Sequence, residues 1–352
     1  MGTIDITNAT RPRRTRVGGV DKTRMAHFRK RFPPTAKRHM FIRDEILAPQ
    51  RDTKVNPTRT GIIDAGAAAD EIKALARDMG ADAVGIAEYD PRFTFTQVEE
   101  SDRPAHDFVI VLAMAMEYDY MADIGPRSQA EVHLVYYRLD DIAMRLAHHI
   151  GAYGYSARMQ PNAGDIPLPA YGWLAGLGEL GKHGSLISPT LGSSFRLVAV
   201  TTDMPLAADG AHDFGFDEVC ASCDMCTRFC PGDAIRPDKQ AVNGLVRWHV
   251  DTPACEPYFH KLYGCKICLM VCPLNARGRF RGAFKTLAKD LVAAKDAAGL
   301  LALVEDRTEM RYEDFDYAAA TPDEDAEDDG GNGSGKNESP PPRPSPVKGE
   351  GE

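Results

Sequence analysis

The sequence predicts a body of mixed helices and strands, α/β or α+β, interrupted by a compact cysteine-bearing module. Three observations predict it. Apolar runs of strand length alternate with stretches of helical periodicity, all eight cysteines fall between Cys220 and Cys272, and the 352 residues are 43% hydrophobic and 26% charged, enough for a sizeable core.

In chain order, Ile72, Leu75, Ala76 and Met79 share one face of a helical pattern over residues 67–79 that Gly80 closes. Residues 83–87 and 108–116 read as buried strands, the second a continuous apolar run bounded by His106, Asp107 and Glu117. Val132, Val135, Leu139, Ile142, Leu146 and Ile150 keep helical spacing over residues 128–150, with Gly151 as the expected stop. Residues 153–159 and 196–202 read as further strands, separated by a Gly- and Pro-rich loop over 161–184. A helix is expected at 284–304, and from Pro322 the chain turns acidic, then Gly-, Ser- and Pro-rich, the composition of a disordered tail. The implied division is a basic N-terminal arm (1–60), a core (61–210), a cysteine module (211–280), a C-terminal helix packing on the core (281–320) and the tail (321–352).

The net charge of −9 is unevenly spread. Up to Arg59 there are 15 Lys and Arg against 5 Asp and Glu, about +10, leaving about −19 for the remainder. The arm carries Pro33, Pro34, Pro49 and Pro57 and no recognised nucleic-acid module, so it reads as a solvated arm wrapping its own acidic body. The longest apolar run is far too short to cross a bilayer. The Arg13–Arg14 pair is followed by Gly18, Gly19, Asp21, Lys22 and Arg24 rather than an apolar segment, so a cytoplasmic, non-membrane protein is expected.

The cysteines carry the chemistry. Cys220, Cys223, Cys226 and Cys230, followed by Pro231, have the CxxCxxCxxxCP spacing of a bacterial ferredoxin, in which three close thiolates hold one [4Fe-4S] cluster and the fourth reaches another. Cys265, Cys268 and Cys272 precede Pro273, but the expected first member is Leu262, leaving Cys255 to complete the set. Crossed ligation then assigns one cluster to Cys220, Cys223, Cys226 and Cys272 and the other to Cys230, Cys255, Cys265 and Cys268. Zinc sites and disulfides are the plain alternatives; neither predicts CxxxCP twice, and disulfides are disfavoured in a reducing compartment. Two clusters in series imply electron transfer to an acceptor in the roughly 200 residues that precede them.

Three stretches together resemble the cobalamin-dependent reductive dehalogenases and their relatives, the epoxyqueuosine reductases. They are EYDY at 117–120, AGLGELGKHG at 175–184 running on through SLISPTLGSSFRLVAVTTDMPL, and the cysteine module with its displaced Cys255. The resemblance spans about residues 65–290. It implies an α+β, nitroreductase-like core binding a base-off corrinoid, with a ferredoxin-like insert of two [4Fe-4S] clusters supplying electrons. It also implies Tyr120 as proton donor, preferred over Tyr118 by position, with Lys182 as the cation beside it. The chemistry is sound, since an adjacent ammonium stabilises phenolate and makes the phenol a better acid. Corrinoid contacts are implied at Asn162, Gly178, Ser185, Ser188, Ser194 and Phe195. Without that resemblance the tyrosines read as core caps and Lys182 as a solvated loop lysine among turn-forming glycines. His133, His148, His149, His183 and His249 read as buried or exposed histidines rather than metal ligands.

The expected function is reductive dehalogenation of a small organohalide, fed by an external ferredoxin or flavoprotein. One alternative is an epoxyqueuosine-reductase-like enzyme acting on tRNA, against which Asn162 stands where those enzymes carry an acidic proton donor. The other is a non-catalytic electron carrier or redox sensor.

Overall fold

Two apolar strands, Phe108–Ala115 (β2) and Phe195–Thr202 (β6), lie side by side at the centre of a four-stranded antiparallel sheet. Ala83–Glu88 (β1) pairs with β2 and Ala157–Gln160 (β3) with β6, giving the order β1-β2-β6-β3. Both faces of the central strands are covered, which is why β2 reads as an unbroken apolar run instead of an alternation. On one face Ile110, Leu112, Val198 and Val200 pack with two helices, Ala65–Asp78 (α2) and Pro126–Ala152 (α4). On the other, Val109, Val111, Leu197 and Ala199 pack with a short helix, Leu168–Leu174 (α5), through its Tyr171 and Trp173.

The computed structural model describes residues 4–14, 28–103, 105–122 and 125–275, with four isolated positions beyond, all within one compact unit. The helix expected at 284–304 and the acidic tail fall outside them, apart from those isolated positions.

Helix α2 begins where the Asp64 carboxylate accepts the amides of Gly66 and Ala67, and ends at Gly80 in the left-handed region (φ +111°). Helix α4 runs past its expected stop at Gly151. That glycine instead admits another stretch of chain, since a Cβ there would lie 2.6 Å from the Lys54 carbonyl, and the left-handed residue after the helix is Gly154. Strand β3 starts at Ala157, because residues 153–156 turn the chain out of α4.

The segment expected as a loop over 161–184 is more regular than its glycines suggest. Pro167 precedes α5 as a helix start, and Glu179–Leu180 (β4) pairs with Leu186–Ile187 (β5) in a hairpin. Periodicity cannot reveal elements this short; burial of Tyr171 and Trp173 against the sheet stabilises them.

The cysteine segment folds as Phe216–Ser222 (α6), Met225–Arg228 (α7), a hairpin of Gln240–Val242 (β7) with Leu245–Arg247 (β8), Thr252–Lys261 (α8) and Ile267–Met270 (α9). Asn243 and Gly244, both at positive φ, make the tight turn between β7 and β8. Phe216, Val219, Phe229, Trp248, Leu262, Ile267 and Leu274 form its own apolar core. Strand β5 joins the two bodies by alternation, sending Leu186 into the sheet-side core and Ile187 into the module's core.

Among the described residues, the N-terminal stretch is tied to the body at several points while most of its side chains stay at least partly exposed. Ile4, Ile6 and Ala9 lie against the sheet-side core, and Arg11 donates to the carbonyls of Thr94, Phe95 (2.6 Å) and Val98 (2.7 Å). Thr10 donates its amide to the Asn243 carbonyl in the module. Ahead of Pro34–Phe41 (α1), Phe28 and Phe32 pack beside Phe259 of α8, while Arg31 donates to the carbonyls of His260 and Lys261. Aromatic burial, invisible to a count of charges, fixes this part of the chain.

Candidate functional site

The eight cysteines are all free thiols, carried on short helices and the turns that end them. Cys220, Cys223, Cys226 and Cys272 line one cavity together with Lys182, His183, Val219, Pro273 and Leu274. Burial lifts the thiols of Cys220 and Cys226 to about 12 and Cys272 well above its ordinary range, and each of the three is raised further by cysteines of this same group. Cys255 forms the second focus: burial, then its neighbours Cys265 and Cys230, raise it to about 12. Burial raises the thiol of Cys268 well above its ordinary range, and Cys265, Cys226, Cys255 and Cys230 raise it further. Cys220, Cys223, Cys226 and Cys272 thus share one cavity, and Cys230 lies close enough to Cys255 and Cys265 to raise both.

This donor set suits a metal–sulfur group. Thiols so raised stay protonated by themselves, and a cationic centre is what displaces their protons. Backbone amides already point at two sulfurs, Lys182 N–H at Cys220 Sγ (3.5 Å) and Ala234 N–H at Cys230 Sγ (3.3 Å). Among the described residues no three Cys, His, Asp or Glu side chains are grouped as a site for a single metal ion.

Lys182 and His183 sit in the turn of the β4–β5 hairpin and face the first quartet. Lys182 is 4% exposed; its ammonium donates to the Cys223 carbonyl (2.8 Å) and lies 4.9 Å from the centre of the Trp248 ring. The Trp248 indole N–H is in turn fixed by Asp217 (2.9 Å). His183, 6% exposed, has its imidazole pushed down to about 4 by burial and is therefore neutral. Glu179 of β4 ties the hairpin to the first cysteine helix by accepting the Phe216 amide (2.6 Å), and burial raises its carboxyl to about 7.

Tyr120 lies in Tyr118–Ala122 (α3), just beyond β2, and is 44% exposed, whereas Tyr118 is buried. The cation lying over the Tyr120 ring is the Arg127 guanidinium, 4.8 Å from its centre. The Lys182 ammonium is engaged at the cysteine module, through the Cys223 carbonyl. No local pattern marks Arg127, because it meets Tyr120 across the junction of two helices. Trp248 and Glu179 also escape notice in the sequence; a tryptophan within a cysteine module is the one signal that points to either.

The residues implied as corrinoid contacts divide. Asn162 is exposed in a turn. Gly178 is committed to the hairpin, where a Cβ would lie 2.0 Å from the Ile187 carbonyl. The Ser188 hydroxyl is used within its own turn, accepting the amides of Thr190 and Leu191. Ser185 is half-buried, its amide donating to His183 Nδ1, and Phe195 is buried in the sheet-side core. Ser194 differs: its hydroxyl is buried without a partner, and its carbonyl accepts the amide of Met116, directly before the EYDY segment. The neighbouring Ser193 donates to Leu269 in the module (2.8 Å). The start of β6 therefore stands between the tyrosine segment and the cysteines.

No protein-family model matches the chain. It is 33% identical over 178 residues to the tetrachloroethene reductive dehalogenase of Sulfurospirillum multivorans, covering 47% of this chain and 35% of that protein. The epoxyqueuosine reductase of Lactococcus garvieae is 30% identical over 151 residues, 41% of each. The solved structure of the catabolic reductive dehalogenase NpRdhA in complex with 3-bromo-4-hydroxybenzoic acid matches at TM-score 0.73 and 27% identity, covering 86% of this chain and 46% of that one. The chain spans less than half the length of these relatives. In sequence and in fold it is similar to the reductive dehalogenases, and in sequence also to the epoxyqueuosine reductases, both of them oxidoreductases.

Proposed function

We propose that the chain is a cytoplasmic reductase of the reductive-dehalogenase type, holding two [4Fe-4S] clusters in a ferredoxin-like module (211–280) and a base-off corrinoid in a nitroreductase-like core (61–210). What supports this reading is the ferredoxin spacing of the eight cysteines together with the cavity that Cys220, Cys223, Cys226 and Cys272 line beside Lys182; Cys230, Cys255, Cys265 and Cys268 are proposed as the second set. When bound, the clusters supply single electrons and the corrinoid a strongly reducing centre for breaking a carbon–halogen bond.

The chain's own residues do the rest. Tyr120 supplies the proton to the carbon that loses halide, with Lys182 as the cation the resemblance gives it and Arg127 lying over its ring. Ser194, buried and unpartnered, suits an amide of the corrinoid periphery, whereas Gly178 and Ser188 serve the scaffold. An external ferredoxin or flavoprotein is the proposed electron source.

A tRNA substrate is less well supported, because the described cations of the basic arm are largely spent on the chain itself. Arg11 and Arg31 bind carbonyls, and Arg43 and Arg59 bind Asp140 and Asp203.

The test is anaerobic reconstitution with iron, sulfide and a corrinoid, followed by metal analysis and incubation with aryl and alkyl halides under a chemical reductant. Eight irons and one cobalt per chain, with halide released, are expected. Zinc in place of iron, or no retained cobalt, would overturn the reading.

A further inference from the structure

The geometry points to His183 as a hydrogen-bond donor to the cluster held by Cys220, Cys223, Cys226 and Cys272, fixing the potential of that cluster above the value it would have without this contact. The inference rests on the cluster reading above and goes beyond it by assigning a role to a residue outside the ligand set.

His183 lines the same cavity as the four thiols and is almost completely buried. Its Nδ1 accepts the backbone amide of Ser185 at 3.2 Å, an arrangement that fixes the tautomer: the ring proton is on Nε2. That Nε2 is buried and has no protein partner. A buried, unsatisfied N–H ordinarily costs about 1–3 kcal/mol, so such a group in a native fold calls for an acceptor. The acceptors an occupied cavity would offer are the sulfurs of the cluster and its thiolates.

The ring is also held where a donor must be. Gly181 leaves space beside it, since a Cβ there would lie 3.0 Å from His183 Cε1, and the hairpin that carries it is clasped between the sheet and the module. Because Nε2 bears hydrogen while Nδ1 is engaged, His183 in this tautomer is a donor and not an iron ligand. Reduction adds negative charge to the cluster, and an N–H directed at sulfur stabilises that charge, so the reduced state is favoured. The Lys182 amide, directed at Cys220 Sγ, acts in the same sense.

The experiment uses the full chain, reconstituted anaerobically, with 15N-labelled histidine. Pulsed electron paramagnetic resonance of the reduced protein should show a coupling to a histidine nitrogen and an exchangeable proton coupling lost in deuterium oxide. In His183→Phe both couplings disappear and one of the two cluster potentials moves more negative while the other stays. His183→Gln, which keeps an N–H donor, recovers part of that shift. Eight bound irons with no histidine coupling in the unmodified protein would overturn the inference and leave the cluster reading standing. So would couplings and potentials unchanged in His183→Phe. If that variant does not take up iron, the unmodified labelled protein decides alone; if the unmodified protein takes up none, the cluster reading falls and this inference with it.

Discussion

At the scale of single residues, Tyr120 and Glu179 make distinct demands. Tyr120 is exposed enough to meet a substrate and carries a guanidinium against its ring, while Tyr118, two residues before it, is buried. Tyr120→Phe is expected to lower the rate of halide release by about 10²–10⁴-fold, the usual worth of a positioned general acid, with iron and cobalt contents unchanged. Equal rates in the variant and the parent would remove Tyr120 from the chemistry. Glu179 behaves through folding. Its carboxyl, raised to about 7 chiefly by burial, binds a proton more tightly in the folded chain than in the unfolded one. Stability is therefore greatest below the ordinary carboxylate range and declines as pH rises through about 7. Denaturant unfolding at several pH values should show a shallower decline in Glu179→Gln. Of this pair only the tyrosine was legible in the sequence, because the carboxyl is raised by burial in the tertiary fold, against the opposing pull of the Phe216 amide 37 positions away.

At the scale of elements, the β4–β5 hairpin is the junction on which the site depends. It presents Lys182 and His183 to the first quartet, sends Leu186 and Ile187 to opposite cores, and holds α6 through Glu179. Its register needs the Gly178 backbone to pass close to the Ile187 carbonyl. Gly178→Ala forces that contact apart and is expected to cost about 1–3 kcal/mol, the usual range for overpacking, visible as a lower denaturation midpoint with a normal unfolding slope. Parent-like stability would show that the hairpin gives way easily. The wording GLGELGKHG pointed to this segment, but only as a loop. Elements of two residues leave no period to count, and their partners lie across the fold.

At the scale of the whole molecule, the module's core is small and built around its thiols. Cys220, Cys223 and Cys272 belong to the same buried set as Phe216, Val219 and Trp248. Removing bound metal should therefore loosen residues 214–275 well before the sheet and its two long helices. Limited proteolysis after anaerobic chelation would show cleavage concentrated in that span, with a core fragment surviving. Uniform digestion of the whole chain would contradict this. The contacts of Arg11, Thr10 and Arg31 cross between the N-terminal stretch, the core and the module, and so limit how far the module can part from the rest.

The sequence by itself determined the strands and long helices, since apolar spacing reports which face of an element is covered, and it pointed to the cysteines as the chemical centre, since ferredoxin-type ligation follows a fixed local spacing. Only the tertiary structure decided what lies beside Tyr120, why Gly178 and Gly151 are glycines, where the basic N-terminal stretch packs, and that Lys182 and His183 face the thiols. Each of these is a meeting between residues far apart in the chain. A linear pattern encodes which residues are apolar or able to ligate, but not which distant partner they meet.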